Sequence, residues 1–140
     1  MGERTSEASR TLWIRGGGDA PGRARTDVLS QLDGEGWNVP RSDVAVIVSE
    51  LVTNSVVHAK VGHDQALCLQ LTPLGDRLRI AVTDPGSELE PRLLPHDPAA
   101  TGGFGLRVVD QVSSAWGIVR EVSGATRVWC DVPLGGGAAL

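Results

Sequence analysis

The chain has 140 residues, 41% hydrophobic and 21% charged, which suits one domain with a real core and leaves too little for two. Thirteen basic residues stand against seventeen acidic ones, a net charge of −4, so the basic surplus of a nucleic-acid binder is missing. No apolar run nears the ~20 residues that span a bilayer, and Met1 to Arg10 lacks the apolar centre of a signal peptide. A cytoplasmic protein with no nucleic-acid or membrane partner is expected.

Residues 1–10 read as a disordered polar leader and 135–140 as a flexible tail, leaving 11–134 as the folded domain. Thr11 to Arg15 reads as a short strand, broken by Gly16-Gly17-Gly18. No Gly-Lys-Ser/Thr follows these glycines, so they are taken as a flexible turn and not a phosphate loop. Asp19 to Leu32 reads as a helix, capped by Asp19, with Pro21 early and Val28, Leu29 and Leu32 on one face. A second helix starts with Ser42 or Asp43 as cap and runs to His58 or Ala59. Its residues Val44, Ile47, Val48, Leu51 and Val52 fall on one face. Glu50, Asn54 and His58, four apart, form a polar ridge beside that face.

Two alternating runs follow, Gln65 to Thr72 and Arg77 to Thr83, joined by a turn at 73–76. They predict a hairpin whose Leu67, Leu69, Leu71, Leu78, Ile80 and Val82 face a core. Asp84 to Thr101 holds four prolines and no periodicity, the mark of a long loop. Gly102-Gly103 leads into a third helix from Phe104 to Ser114. A last hairpin pairs Trp116–Val122 with Thr126–Pro133. The order β-α-α-β-β-loop-α-β-β predicts an α+β two-layer sandwich: a mostly antiparallel, mixed sheet with helices packed on one face. Cys68 and Cys130 sit in strand-like runs without metal-ligand spacing, and are expected as reduced, buried residues.

Three patches carry chemistry in this order. Glu50 and Asn54 lie one helical turn apart: a carboxylate can take a proton from a hydroxyl, and an amide oxygen is a hard ligand suited to Mg²⁺. Asp84 ends a strand and can accept from an exocyclic amine. Gly103 and Gly105 precede a helix, whose first N–H groups suit phosphate oxygens. Each also has a plain use: a solvated helix edge, an Asp-Pro-Gly turn, a glycine-rich connector. Their order and spacing together are more specific.

The run Glu50-Leu51-Val52-Thr53-Asn54-Ser55-Val56-Val57-His58-Ala59 resembles the N box of the GHKL superfamily of ATPases. Asp84-Pro85-Gly86-Ser87 resembles its G1 box and Gly103-Phe104-Gly105-Leu106 its G2 box. Trp116-Gly117 and Arg127-Val128-Trp129 are similar to the small branch of anti-sigma-factor serine/threonine kinases. The resemblance implies ATP and Mg²⁺ as cofactors, with Asn54 as metal ligand and Glu50 as general base. Asp84, Gly86 and Thr126 are implied at adenine, although aligning on Trp129 puts Arg127 in the place of Thr126. Gly103, Gly105 and Leu106 are implied at the phosphates, under a lid over 85–101. His58 matches the pattern as a structural or pocket-lining residue. Phe104 stands where this branch carries Arg, and Arg107 is the nearby candidate to replace it, or plain helix surface. The resemblance further implies a sigma factor and an antagonist protein as partners, and a homodimer. The alternative reading is a nucleotide-gated protein-binding switch with little or no kinase activity.

Overall fold

Alternation of apolar and polar residues builds five strands, and most of their apolar side chains turn to the same side. A computed structural model describes residues 9–58, 60–85, 109 and 113–134, His58 by its backbone alone. The strands are β1 (Arg10–Arg15), β2 (Ala66–Pro73), β3 (Arg77–Asp84), β4 (Ala115–Arg120) and β5 (Thr126–Pro133). They form one sheet in the order β1-β2-β3-β5-β4. Every described pairing is antiparallel. Leu67, Leu69, Leu71, Leu78, Ile80 and Val82 are all fully buried on its inner face, because side chains two apart share a face of the pleat.

Two described helices cover that face, α1 (Ala20–Glu35) and α2 (Arg41–His58). They pack on each other, α1 against β1 and α2 against β3. The expected α+β two-layer arrangement is therefore observed. Helix α1 buries Ala20, Ala24, Val28 and Leu32, a stripe at four-residue spacing. Two of these are alanines, which let helix and neighbour approach closely and which a search for large apolar residues passes over. Asp19 precedes α1 but its side chain makes no capping hydrogen bond, and Gly36 closes the helix at φ 74°. Helix α2 begins earlier than its polar residues suggest: the Val44 N–H donates to the Pro40 carbonyl at 3.0 Å. Ser42 and Asp43 therefore lie inside the first turn and neither is the cap.

The glycine cluster after β1 is a packed clamp, not a loose turn. The Gly16 N–H donates to the Gln65 carbonyl (2.9 Å) and the Gly17 N–H to the Val61 carbonyl (3.1 Å). A Cβ on Gly16 would meet the Gly62 oxygen at 2.5 Å, and one on Gly17, at φ +106°, the His63 ring at 2.6 Å. The segment leaving α2 is thus pinned to the end of β1. Only glycine allows both the close approach and the left-handed backbone.

The expected third helix lies mostly outside the described residues. Val109 is 1% exposed and belongs to the core. The Ser113 N–H donates to the Val109 carbonyl at 3.0 Å, which is helical spacing. Cys130 is buried in the core and Cys68 half-buried on the opposite side of the sheet, both as free thiols. Burial pushes the Cys130 thiol up to about 12. Among the described residues no helix is long and apolar enough to cross a membrane.

Candidate functional site

Helix α2 presents its apolar residues to the sheet: Val44, Ile47, Val48, Leu51 and Val52 are fully buried. Asn54 follows Leu51 by three positions and is carried inward with that stripe. It is 5% exposed, and among the described residues its Oδ1 has no hydrogen-bond partner. The adjacent Ser55, 2% exposed, has an unpartnered Oγ as well. A buried oxygen left without a donor costs about 1–3 kcal/mol, so two on successive residues mark a place where the fold tolerates a local loss. Sequence periodicity puts Asn54 on a ridge bordering the core; packing puts it inside. Ser55 is not singled out by periodicity, since a serine among valines reads as a neutral filler.

Glu50 lies one turn before Asn54 and is half-buried. Burial pushes its carboxyl above the usual range, because the charged form is disfavoured away from water. The shift moves the group toward the range in which a carboxylate can accept and later release a proton. The side chain of His58 and the whole of Ala59 lie outside the described residues.

The sheet supplies a second buried polar pair. Asp84 is the last residue of β3 and Thr126 the first of β5, and the two are Cα partners in the ladder. Asp84 is 5% and Thr126 4% exposed. Both alternate in step with the inner face, Asp84 with Leu78, Ile80 and Val82 and Thr126 with Val128, Cys130 and Val132. Asp84 is engaged in an interaction within the chain. By the strand period Thr126 shares the face of Asp84, and Arg127 points to the other side.

Glu50, Asn54, Asp84 and Thr126 thus all lie on the elements of the helix-covered side of the sheet, α2 packing on β3. Gly86, Gly103, Phe104, Gly105, Leu106, Arg107 and, apart from Pro85, the expected lid lie outside the described residues. Among the described residues no three His, Cys, Asp or Glu side chains gather as a cation site. A divalent cation at Asn54 would share one neutral amide oxygen with non-protein ligands, as suits Mg²⁺ carried on phosphate oxygens.

The outer face of the sheet carries Gly117, Arg127 and Trp129, which periodicity alone does not bring together. The Trp129 ring lies across Gly117 of β4: a Cβ there would meet Trp129 Nε1 at 2.9 Å. The Arg79 guanidinium stacks 4.1 Å from the centroid of Trp129. Its Nε donates to Asp131 Oδ1 (2.8 Å) and its Nη2 to Oδ2 (3.0 Å), while Arg77 Nε donates to Oδ2 at 3.0 Å. Burial pushes the Asp131 carboxyl up, but the hydrogen bonds and charges of Arg79 and Arg77 outweigh it and hold the group below its ordinary value.

No curated protein matches the chain. The family profile described as histidine kinase-, DNA gyrase B- and HSP90-like ATPase matches residues 40–136. That span takes in α2, the last four strands, and Glu50, Asn54, Asp84 and Thr126. With more than half of the chain matched, and with an antiparallel sheet covered by helices on one face, the chain belongs to the family of histidine kinase-, DNA gyrase B- and HSP90-like ATPases.

Proposed function

We propose that this ATP-binding domain is an anti-sigma-factor serine/threonine protein kinase, which holds a sigma factor in one state and phosphorylates an antagonist protein in another. The observation that carries the nucleotide reading is the buried, unpartnered Oδ1 of Asn54. A bound Mg²⁺ would neutralise charge on the ATP phosphates as the γ-phosphoryl group transfers. Asn54 would hold that ion through Oδ1, its neutral oxygen having no donor to give up among the described residues. Asp84 accepts from the adenine amino group, with Thr126 beside it in the ladder, and Gly86 allows the purine close approach. Gly103, Gly105 and Leu106 hold the phosphates.

Glu50 takes the proton of a serine or threonine hydroxyl on the antagonist as that oxygen bonds to the γ-phosphorus. The bond from the γ-phosphorus to its bridging oxygen breaks, and ADP leaves. The raised pKa of Glu50 supports this role, since a base nearer neutrality transfers the proton at less disadvantage. The kinase branch rests on the sequence resemblance at Trp116-Gly117 and Arg127-Val128-Trp129. The packing of Trp129 on Gly117 gives that signature a structural reason but no catalytic one.

Two experiments test the reading. ATP, ADP and GTP are titrated with and without Mg²⁺ against wild type and Asp84→Asn. The expected result is adenine preference, lost in the variant; equal binding of GTP, or an unaffected variant, refutes it. Purified protein is then incubated with Mg-ATP and candidate antagonists. Phosphoserine or phosphothreonine that disappears in Glu50→Gln supports the kinase. ATP binding without phosphate transfer to any candidate leaves the nucleotide-gated switch, which Phe104 at the phosphate turn favours.

A further inference from the structure

The inner face of the sheet is occupied by the helices. Among the described residues no helix covers the outer face, and that face is built differently from the rest of the chain. One row crosses all five strands through successive Cα partners: Trp13, Cys68, Thr83, Arg127 and Val119. Its ends are apolar and exposed, Trp13 at 68% and Val119 at 46%. Tryptophan is a residue type enriched at interfaces, where its large ring supplies contact area.

The charge on this face opposes that of the chain. Strand alternation places Arg15, Arg77, Arg79 and Arg127 on it, against one strand carboxylate, Asp131, with Asp64 beside Trp13 and Arg15 at its margin. Asp131 is already shared by Arg77 and Arg79. Arg15 donates to the His63 carbonyl, which carries no charge. Arg127 Nε is buried and without a partner among the described residues. The chain as a whole is at −4, so the remaining surface is more acidic still.

These facts select the occupant. A second copy placed face to face would set arginines against arginines. A long phosphate backbone would gain at this face but meet the acidic remainder around it. A carboxylate-bearing protein segment meets neither objection, and an apolar residue on it can cover Trp13. We propose that the outer face of the sheet is a docking surface for an acidic protein segment, with an apolar anchor on Trp13 and a carboxylate on Arg127. Neighbouring strands lie about 4.8 Å apart, so three strand steps separate these two residues by roughly 14 Å. An extended segment covers that span in about four residues. The surface lies on the other side of the sheet from Asn54 and Asp84, so the proposal does not depend on the nucleotide reading.

Cys68 lies between the two contact points and reports on them. It is half-buried, whereas Cys130 is fully buried, so alkylation of the folded chain reads Cys68. The probe is a synthetic glutamate-rich peptide with one leucine placed four positions before a glutamate. Its effect on the rate of iodoacetamide labelling of the full chain is followed by mass spectrometry. The peptide is expected to slow Cys68 labelling several-fold, with the effect lost in Trp13→Ser and in Arg127→Gln. Melting temperature and Mg-ATP response of both variants are expected to stay at wild-type values. Absence of protection up to millimolar peptide overturns the proposal. So does better protection by an oligothymidylate of equal charge, which makes the face a nucleic-acid surface. Protection that rises with protein concentration alone assigns the face to self-association and equally overturns it.

Discussion

Replacing Asn54 with leucine is expected to raise stability and abolish the response to nucleotide, two changes of opposite sign from one substitution. The side chain is 5% exposed and its Oδ1 has no donor among the described residues. Leucine keeps the branched heavy-atom skeleton of asparagine and opens no cavity, while its bulkier methyl groups offset part of the gain. Removing an unsatisfied buried oxygen recovers about 1–3 kcal/mol. A net gain of about 1 kcal/mol is expected, which for 140 residues is about 3–5 °C in melting temperature. Mg-ATP at about a hundred times its dissociation constant should stabilise the wild type by about 2.7 kcal/mol. The same concentration should leave Asn54→Leu unmoved. Thermal unfolding followed by far-UV circular dichroism, with and without Mg-ATP, reads both numbers. A variant that melts lower than wild type without ligand refutes the claim that the amide is held at a local loss. A variant that still gains stability from Mg-ATP refutes its place in the nucleotide site.

Other substitutions read the remaining features. Glu50 has its carboxyl pushed up by burial, so its charged form works against folding above the ordinary carboxylate range, ~4.3. Glu50→Gln should therefore be the more stable protein near neutrality, with the advantage vanishing in acid, and should bind ATP but transfer no phosphate. Asp131 runs the other way: its depressed carboxyl contributes stability that is present above ~3.9 and lost as pH falls through its folded value. Asp131→Asn should lower stability by about 2 kcal/mol at neutral pH, because Arg77 and Arg79 lose a charged acceptor but remain partly hydrated. Urea unfolding across the acid range should show a smaller loss for this variant than for wild type. Gly117→Ala places a methyl 2.9–3.0 Å from the Trp129 ring and should cost about 1–3 kcal/mol as an overpacked contact. Its near-UV circular dichroism should report a displaced tryptophan; an unchanged spectrum with unchanged stability refutes the packing.

Much of the fold is legible from local pattern. The strand pairs around 73–76 and 121–125 follow from period-two alternation on either side of a turn, as Leu74 and Glu121 closing those turns by backbone hydrogen bonds shows. The second helix follows from its apolar spacing. Its start does not, because the first turn is set by where Pro40 lets the backbone close, and polar residues stand at two later positions. The stripe of α1 is half hidden because Ala20 and Ala24 carry no hydropathy signal strong enough to mark a face. The clamp at Gly16 and Gly17 is invisible to any local rule, since its partners Val61, Gln65 and His63 come from the other end of α2.

The site divides in the same way. Sequence by itself determined which residue types are present and in what order: Glu50 one turn before Asn54, Asp84 at a strand end, and the glycines downstream. It determined the sandwich as well, because hydrophobic period is a local property of the chain. Tertiary structure alone decided that Asn54 and Ser55 lie inside the core, their oxygens without a donor among the described residues. It also decided that Thr126, and not Arg127, shares a face with Asp84, and that four arginines meet one strand carboxylate on the far side of the sheet. These are properties of register and of what packs against what. They arise only when strands distant in the chain are brought side by side, where one residue of slip would turn every side chain to the opposite face.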